Sequence, residues 1–162
     1  MSKQRRVVVT GLGIVSPLGN DLESSWSNIL NGKSGAGPIT KFDARNFSTT
    51  FAAELKGYDE VSGLSSKEKR RIDPFIQYAL TASDQAIKDA NLPIESIEKT
   101  RVGVSIGSGI GGLGSIEDNA LNLKEKGSRK ISPFFVPGAI INMASGNVAI
   151  KYNFQGPNIS IV

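Results

Sequence analysis

The 162-residue chain contains neither cysteine nor histidine, which excludes from this stretch a thiolate nucleophile, a Ser-His-Asp relay, a disulfide and the usual kind of zinc site. Leu, Ile, Val and Phe make up about 28% of it, above the range of disordered chains, so a folded core is expected. The formal charge of +4 is gathered into three clusters of net +3 each: Lys3 with Arg5 and Arg6; Lys67, Lys69, Arg70 and Arg71 against Glu68; Lys124, Lys126, Arg129 and Lys130 against Glu125; the remainder carries −5.

Arg6-Val7-Val8-Val9-Thr10 is a β-branched run stopped by Gly11 and Gly13, the pattern of a strand buried on both faces. Asn20 or Asp21 can cap a helix with Leu22, Trp26, Ile29 and Leu30 on one face and Gly32 as its stop. The Gly/Ser/Pro-rich stretch 32–38 opens a region of poor periodicity, and about 33–65 reads as an excursion from the main fold. Asp73 caps the clearest helix, with Pro74 at its first position, Phe75, Ile76, Ala79, Leu80, Ala86, Ile87 and Ala90 at helical spacing, and Asn91 and Pro93 at its end. Val102, Val104 and Ile106 form a second buried strand that runs into the glycine loop 107–114. A helix follows with Ile116, Ala120 and Leu123 on one face and Gly127 behind it. Residues 136–151, rich in Ala, Gly and Ile, suit one close-packing helix, and Ile159-Ser160-Ile161-Val162 opens a third strand after Gly156-Pro157. Helices alternating with buried strands predict an α/β fold with a mainly parallel sheet.

Individual motifs carry little. Gly107-Ser108-Gly109-Ile110-Gly111-Gly112 has the glycine spacing of a dinucleotide fingerprint, yet the zone where the ribose-binding acid belongs reads Gly127-Ser128-Arg129-Lys130-Ile131. Gly103-Val104-Ser105-Ile106-Gly107 spells a nucleophile-elbow pattern, with Ser105 inside a strand and no histidine to take its proton. Asn31-Gly32-Lys33-Ser34 closes a helix, where a phosphate loop would open one. The run Ser65-Ser66-Lys67-Glu68-Lys69-Arg70-Arg71 is either a solvated basic face or a docking patch for an acidic partner. Nucleic acid is a poor partner for it, since aromatic interleaving and RNA-binding signatures are absent. Pro133-Phe134-Phe135-Val136-Pro137, bracketed by prolines, is expected to be extended and to serve a core or subunit interface before a ligand. No apolar stretch reaches the roughly 18 residues of a membrane span, and the opening MSKQRRVVVTGLGIV lacks a cleavage site, so a soluble cytoplasmic protein is expected.

Taken in order, Arg6-Val-Val-Val-Thr-Gly-Leu-Gly-Ile-Val-Ser-Pro-Leu-Gly, the run Lys69-Arg-Arg-Ile-Asp-Pro-Phe75, the glycine loop, Pro133-Phe-Phe-Val-Pro, Asn142-Met143 and Gly156-Pro-Asn-Ile-Ser-Ile161 resemble the start of a bacterial β-ketoacyl-acyl-carrier-protein synthase. The Gly-Ile-Gly-Gly loop around Ile110 and the Phe-Phe-Val-Pro segment resemble the type II enzyme more than type I. The resemblance implies a thiolase-like fold, here its N-terminal half, with a mostly parallel mixed sheet and helices on both faces. Residues 1–162 would then be the N-terminal portion of a synthase domain. It implies an acyltransferase of fatty acid biosynthesis that works as a homodimer and needs no cofactor or metal. A cysteine takes the acyl chain, and malonyl carrier protein loses carbon dioxide and attacks, extending the chain by two carbons. The family's cysteine follows the strand at 159–162, and its histidines and lysine belong to the second half, so no catalytic residue of the family is expected in these 162 residues. Ile110 resembles the gate of the acyl pocket and Phe134 the aromatic that reaches across the dimer to line the partner's pocket. Lys67, Arg70 and Arg71 resemble contacts to acyl carrier protein, acyl- or malonyl-loaded. The alternative is a non-catalytic, chain-length-factor-like subunit or inactive remnant that dimerises and binds carrier protein, distinguished by whether a cysteine follows.

Overall fold

The first helix, α1 (Leu22–Leu30), starts at Asp21, whose backbone is extended and whose Oδ1 accepts the Ser24 amide at 2.7 Å. That bond satisfies one of the N–H groups a helix start leaves orphaned. The helix ends where Gly32 takes φ +64°, a conformation that suits a residue without a Cβ. These features belong to a computed structural model that describes residues 5–162, the side chain of Val61 excepted. Lys3 of the first basic cluster lies outside the described residues.

Two compact units make up the chain, Met1–Val61 with Ala82–Leu92, and Ser62–Thr81 with Pro93–Val162. In the first, β1 (Gly37–Pro38) pairs antiparallel with β2 (Phe51–Ala52). The loop between them turns on the edge-to-face pair Phe42–Phe47, ring centroids 5.5 Å apart, with Ala44 buried; α2 (Tyr58–Val61) follows. The segment 11–14 lies on the last turns of a long helix, α4 (Pro74–Asp89). Leu12 N donates to Asp89 Oδ2 at 2.8 Å and Ile14 N to Gln85 Oε1 at 3.0 Å, while Gln85 Nε2 donates to Asn20 O at 2.6 Å. A Cβ on Gly11 would stand 2.3 Å from Ala86 O and one on Gly13 2.0 Å from Ala82 O. The glycine turn therefore exists to seat backbone against an alanine face of the helix. The run at 6–10 departs from expectation. Val7, Val8 and Val9 are 91, 65 and 79% exposed, and no strand among the described residues pairs with them. A strand is buried by its neighbours, and a valine run specifies readiness for burial without supplying the neighbour.

The second unit holds α3 (Ser66–Lys69), the first half of α4, β3 (Val104–Ser105), α5 (Leu113–Lys126), α6 (Phe135–Ala139), α7 (Met143–Tyr152) and β4 (Asn158–Ile159). Strands β3 and β4 are parallel, and the ladder runs past both, with the amides of Val104, Ile106 and Ser108 donating to the carbonyls of Pro157, Ile159 and Ile161. This even spacing is the parallel pattern, so the α/β expectation holds where β3 falls within 102–106 and β4 meets the expected strand 159–162 at Ile159, although Ile159, Ile161 and Val162 are exposed and not buried. Ile76 and Leu80 of α4, Val104 of β3 and Val148 of α7 form the buried cluster, with Ile72, Phe75, Ile106 and Phe154 around it.

Two expectations are corrected here. Residues 133–137 are not extended throughout, because α6 begins at Phe135 with Pro137 as its third residue. The first residues of a helix donate no intrahelical bond, so proline is tolerated there. Nor is 136–151 a single helix. Ile140 is extended (φ −74°, ψ 143°) and separates α6 from α7. The break leaves Ala139 O free to accept the Gly112 amide at 2.8 Å.

Candidate functional site

The basic run folds as a capped turn. Ser65 Oγ accepts the Glu68 amide, and the Glu68 carboxylate accepts from Ser65 N at 2.8 Å and Ser65 Oγ at 2.6 Å, a reciprocal capping box that opens α3. The Ser65 hydroxyl, then its amide, hold the Glu68 carboxyl below its ordinary range, with a smaller contribution from the charge of Lys151. The one acid of the run is thus committed to capping, and Lys67, Arg70 and Arg71 face solvent. From below, buried Gln77 donates through Nε2 to Lys69 O at 3.2 Å and Ile72 O at 2.9 Å, fixing the turn that presents the two arginines.

Asp73 ties this turn to the rest of the unit. Its amide donates to Gly138 O at 3.0 Å, and its buried carboxylate accepts from Ser115 Oγ at 2.8 Å and Ser115 N at 3.2 Å. The same side chain lies 3.5 Å from the Phe75 amide at the start of α4. One carboxylate therefore serves two helix N-termini, those of α4 and α5, where negative charge is favoured. The sequence pattern showed the first of these roles only. The signal for the second was the absence of a capping residue before Leu113, where Gly112 makes no side-chain cap bond. Close packing at this junction also accounts for the glycine loop. A Cβ on Gly111 would meet Ala139 O at 2.4 Å, and one on Gly112 would meet Ala139 Cα and Asp73 Cβ at 2.9 Å each. The helix end that a pyrophosphate would use in a dinucleotide site is occupied by the protein's own carboxylate, and the rejection of that motif stands on geometry.

Beside the turn, Phe134 is 41% exposed, and the Arg71 guanidinium carbon sits 4.7 Å from its ring centroid. Lys69, Arg70, Arg71, Asp73, Ser115, Asp118, Phe134 and Phe135 line a cleft of about 450 Å³. The fold thus brings Arg70, Arg71 and Phe134 to one cleft, with Lys67 on α3 outside its lining. Ile110 stands apart from that lining, 64% exposed at the tip of the glycine loop. The loop is anchored on one side by Ser108 N donating to Ile161 O at 3.2 Å and on the other by the Gly112–Ala139 bond. Among the described residues no group of His, Cys, Asp or Glu is placed to hold a metal ion, and no helix is long and apolar enough to cross a membrane.

Residues 4–162 match the model of the β-ketoacyl synthase N-terminal domain. The chain belongs to the β-ketoacyl synthase family. It is 55% identical over 160 residues to the 3-oxoacyl-[acyl-carrier-protein] synthase 2 of Coxiella burnetii, a match that takes in 99% of this chain and 39% of that protein. Among solved structures it resembles a β-ketoacyl synthase from Burkholderia phymatum STM815, with TM-score 0.79 and 26% identity over 97% of this chain and 39% of the other. It also shares the fold of a structure of a type II polyketide synthase acyl carrier protein in complex with its ketosynthase, with TM-score 0.69 and 23% identity over 91% and 39% of the two chains. The fold is therefore the thiolase-like α/β fold of ketosynthases, and the chain spans about two-fifths of the length of the relatives it matches.

Proposed function

We infer that residues 1–162 are the N-terminal portion of a β-ketoacyl-acyl-carrier-protein synthase II, with 33–65 as an excursion from its main fold. The polypeptide that carries them condenses an acyl-enzyme with malonyl carrier protein, releasing carbon dioxide and lengthening the chain by two carbons. The observation that carries this inference is the 55% identity to a synthase of that type along 99% of the chain. In this proposal the protein is a homodimeric cytoplasmic enzyme without a cofactor, and its nucleophile lies outside these 162 residues, which hold no cysteine.

The chain's own residues then divide the work. Lys67, Arg70 and Arg71, solvent-facing on a turn whose only acid is committed to a cap, receive the acidic carrier protein; the carrier complex known for a protein of this fold supports such a partner. Charge of this kind steers encounter and fixes register more than it adds affinity. Ile110 is a branched apolar side chain beside glycines on an exposed loop, suited to gate an acyl pocket by swinging as a chain enters. Phe134 reaches across the dimer to line the partner's pocket.

The test uses the polypeptide that contains this chain, assayed with acyl- and malonyl-loaded carrier protein. Replacing Arg70 and Arg71 together by Glu should raise KM for carrier protein and flatten its dependence on salt, because the screened attraction has been removed. Unchanged KM and salt dependence would remove the docking assignment, and no β-ketoacyl product from the unaltered protein would remove the activity itself.

A further inference from the structure

We propose that Phe134 is a positioning residue for carrier-protein docking, acting through the face of the Arg71 guanidinium. The proposal rests on the docking role inferred above for Arg71 and assigns Phe134 a task separate from lining any pocket.

Arg71 presents two different surfaces. Its guanidinium carbon lies over the Phe134 ring, 4.7 Å from the centroid, while no ion pair is made by its guanidinium N–H groups among the described residues. A guanidinium can stack through its face and donate to a carboxylate through its edge at the same time, which the compact ammonium of lysine cannot do. The backbone beneath both partners is fixed. Arg71 N donates to Glu68 O at 2.9 Å, and Phe134 N to Ser132 Oγ at 3.1 Å. A Cβ on Gly138 of α6 would come within 2.6 Å of Arg71 O, so the two segments touch at main-chain distance. What remains free is the long arginine side chain, and the ring is what holds it. Without the ring, an incoming carboxylate has to order that side chain itself, at an entropic cost that lowers affinity. Coupling is reciprocal, so a carboxylate bound at the edge of Arg71 also steadies Phe134 in its place.

A double-mutant cycle on carrier-protein affinity, measured by titration with the acyl-loaded carrier and as KM, tests this in the full polypeptide. Phe134→Leu keeps apolar bulk and loses the ring face, and should weaken carrier binding about two- to five-fold, the range of an exposed cation–π contact. The same change in an Arg71→Gln background should have no further effect on affinity. Phe134→Tyr, which keeps the face, should not show the loss. Any role of Phe134 in an acyl pocket would appear separately, in kcat and in the chain-length profile. Additive effects of Arg71→Gln and Phe134→Leu, or an affinity untouched by Phe134→Leu, would overturn the proposal. Arg70→Gln separates the two levels, because among the described residues no ring lies over the Arg70 guanidinium. Weakened binding in Arg70→Gln and Arg71→Gln with an additive cycle leaves docking standing and removes the coupling. Unchanged binding in both arginine variants removes docking and coupling together.

Discussion

Asp73→Ala should be the most informative stability variant of the second unit. The substitution removes the side-chain cap of α5, about 1 kcal/mol for a cap of this kind, and takes from the Ser115 hydroxyl a charged acceptor at 2.8 Å, about 1.5 kcal/mol. The Phe75 amide at 3.5 Å adds little, so the total should be about 2–3 kcal/mol. Asp73→Asn keeps an acceptor oxygen and loses only the charge at two helix ends, which should cost about 1 kcal/mol. Ser115→Ala should cost about the same, and combining it with Asp73→Ala should add less than the sum of the two. Urea titration followed by circular dichroism gives these values, and hydrogen exchange at the Ser115 amide localises them. Phosphate offers a sharper check. With the carboxylate gone, the N-terminus of α5 becomes an open anion site, and added phosphate should stabilise Asp73→Ala more than the unaltered protein. A cost below about 0.5 kcal/mol for Asp73→Ala, together with no differential effect of phosphate, would refute the double-cap account.

Three further outcomes are expected. Gly13→Ala places a Cβ 2.0 Å from one backbone carbonyl oxygen of α4 and 2.7 Å from a backbone nitrogen, and should cost on the order of 3 kcal/mol, whereas Gly37→Ala enters open space and should be neutral to within about 0.5 kcal/mol; thermal unfolding of the pair measures the contrast. The Asp21 carboxyl is held below its ordinary value by the amide and hydroxyl of Ser24. Its contribution is therefore complete above the unfolded value of 3.8 and is lost as pH falls through the lower folded value. The protection factor of the Ser24 amide, measured against the intrinsic exchange rate at each pH, should fall over that acid range, and Asp21→Ala should lack the transition. Under the proposed function, Ile110→Phe in the polypeptide that carries this chain should shorten the longest acyl chain accepted, and an unaltered product profile would reject the proposed gating role.

What the sequence revealed depended on how local the cause was. Asp21 and Gly32 mark the two ends of α1, Asp73-Pro74 the start of α4 and Gly127 the end of α5, because a cap is decided within a few residues. Exposure of 6–10 is not legible in the sequence because a strand's surroundings come from other segments. The helix at 135–139 is hidden in the sequence because one proline before it and another at its third position argue against helix, yet the first turn of a helix asks nothing of a proline's missing N–H. At the candidate site, the exposure of Lys67, Arg70 and Arg71 follows from their charge, while the roles assigned to Ile110 and Phe134 came from family resemblance alone. The stacking of Arg71 on Phe134 and the bond from Ser115 to Asp73 join positions far apart in the chain, and no window of sequence contains them.

The discontinuity of the first unit governs how it can be made on a ribosome. Leu12 waits for Asp89, 77 positions later, and the intervening residues 62–81 belong to the other unit. At about 5–20 residues per second, synthesis separates the two halves of that contact by roughly 4–15 s. During this interval the glycine turn has no helix to sit on, and the exposed valines beside it are available to chaperones before any native partner exists. The pairing of 11–14 with the end of α4 therefore makes the emergence of residue 90 a timing event in folding, and rare codons upstream of it would prolong the vulnerable state without changing a single residue.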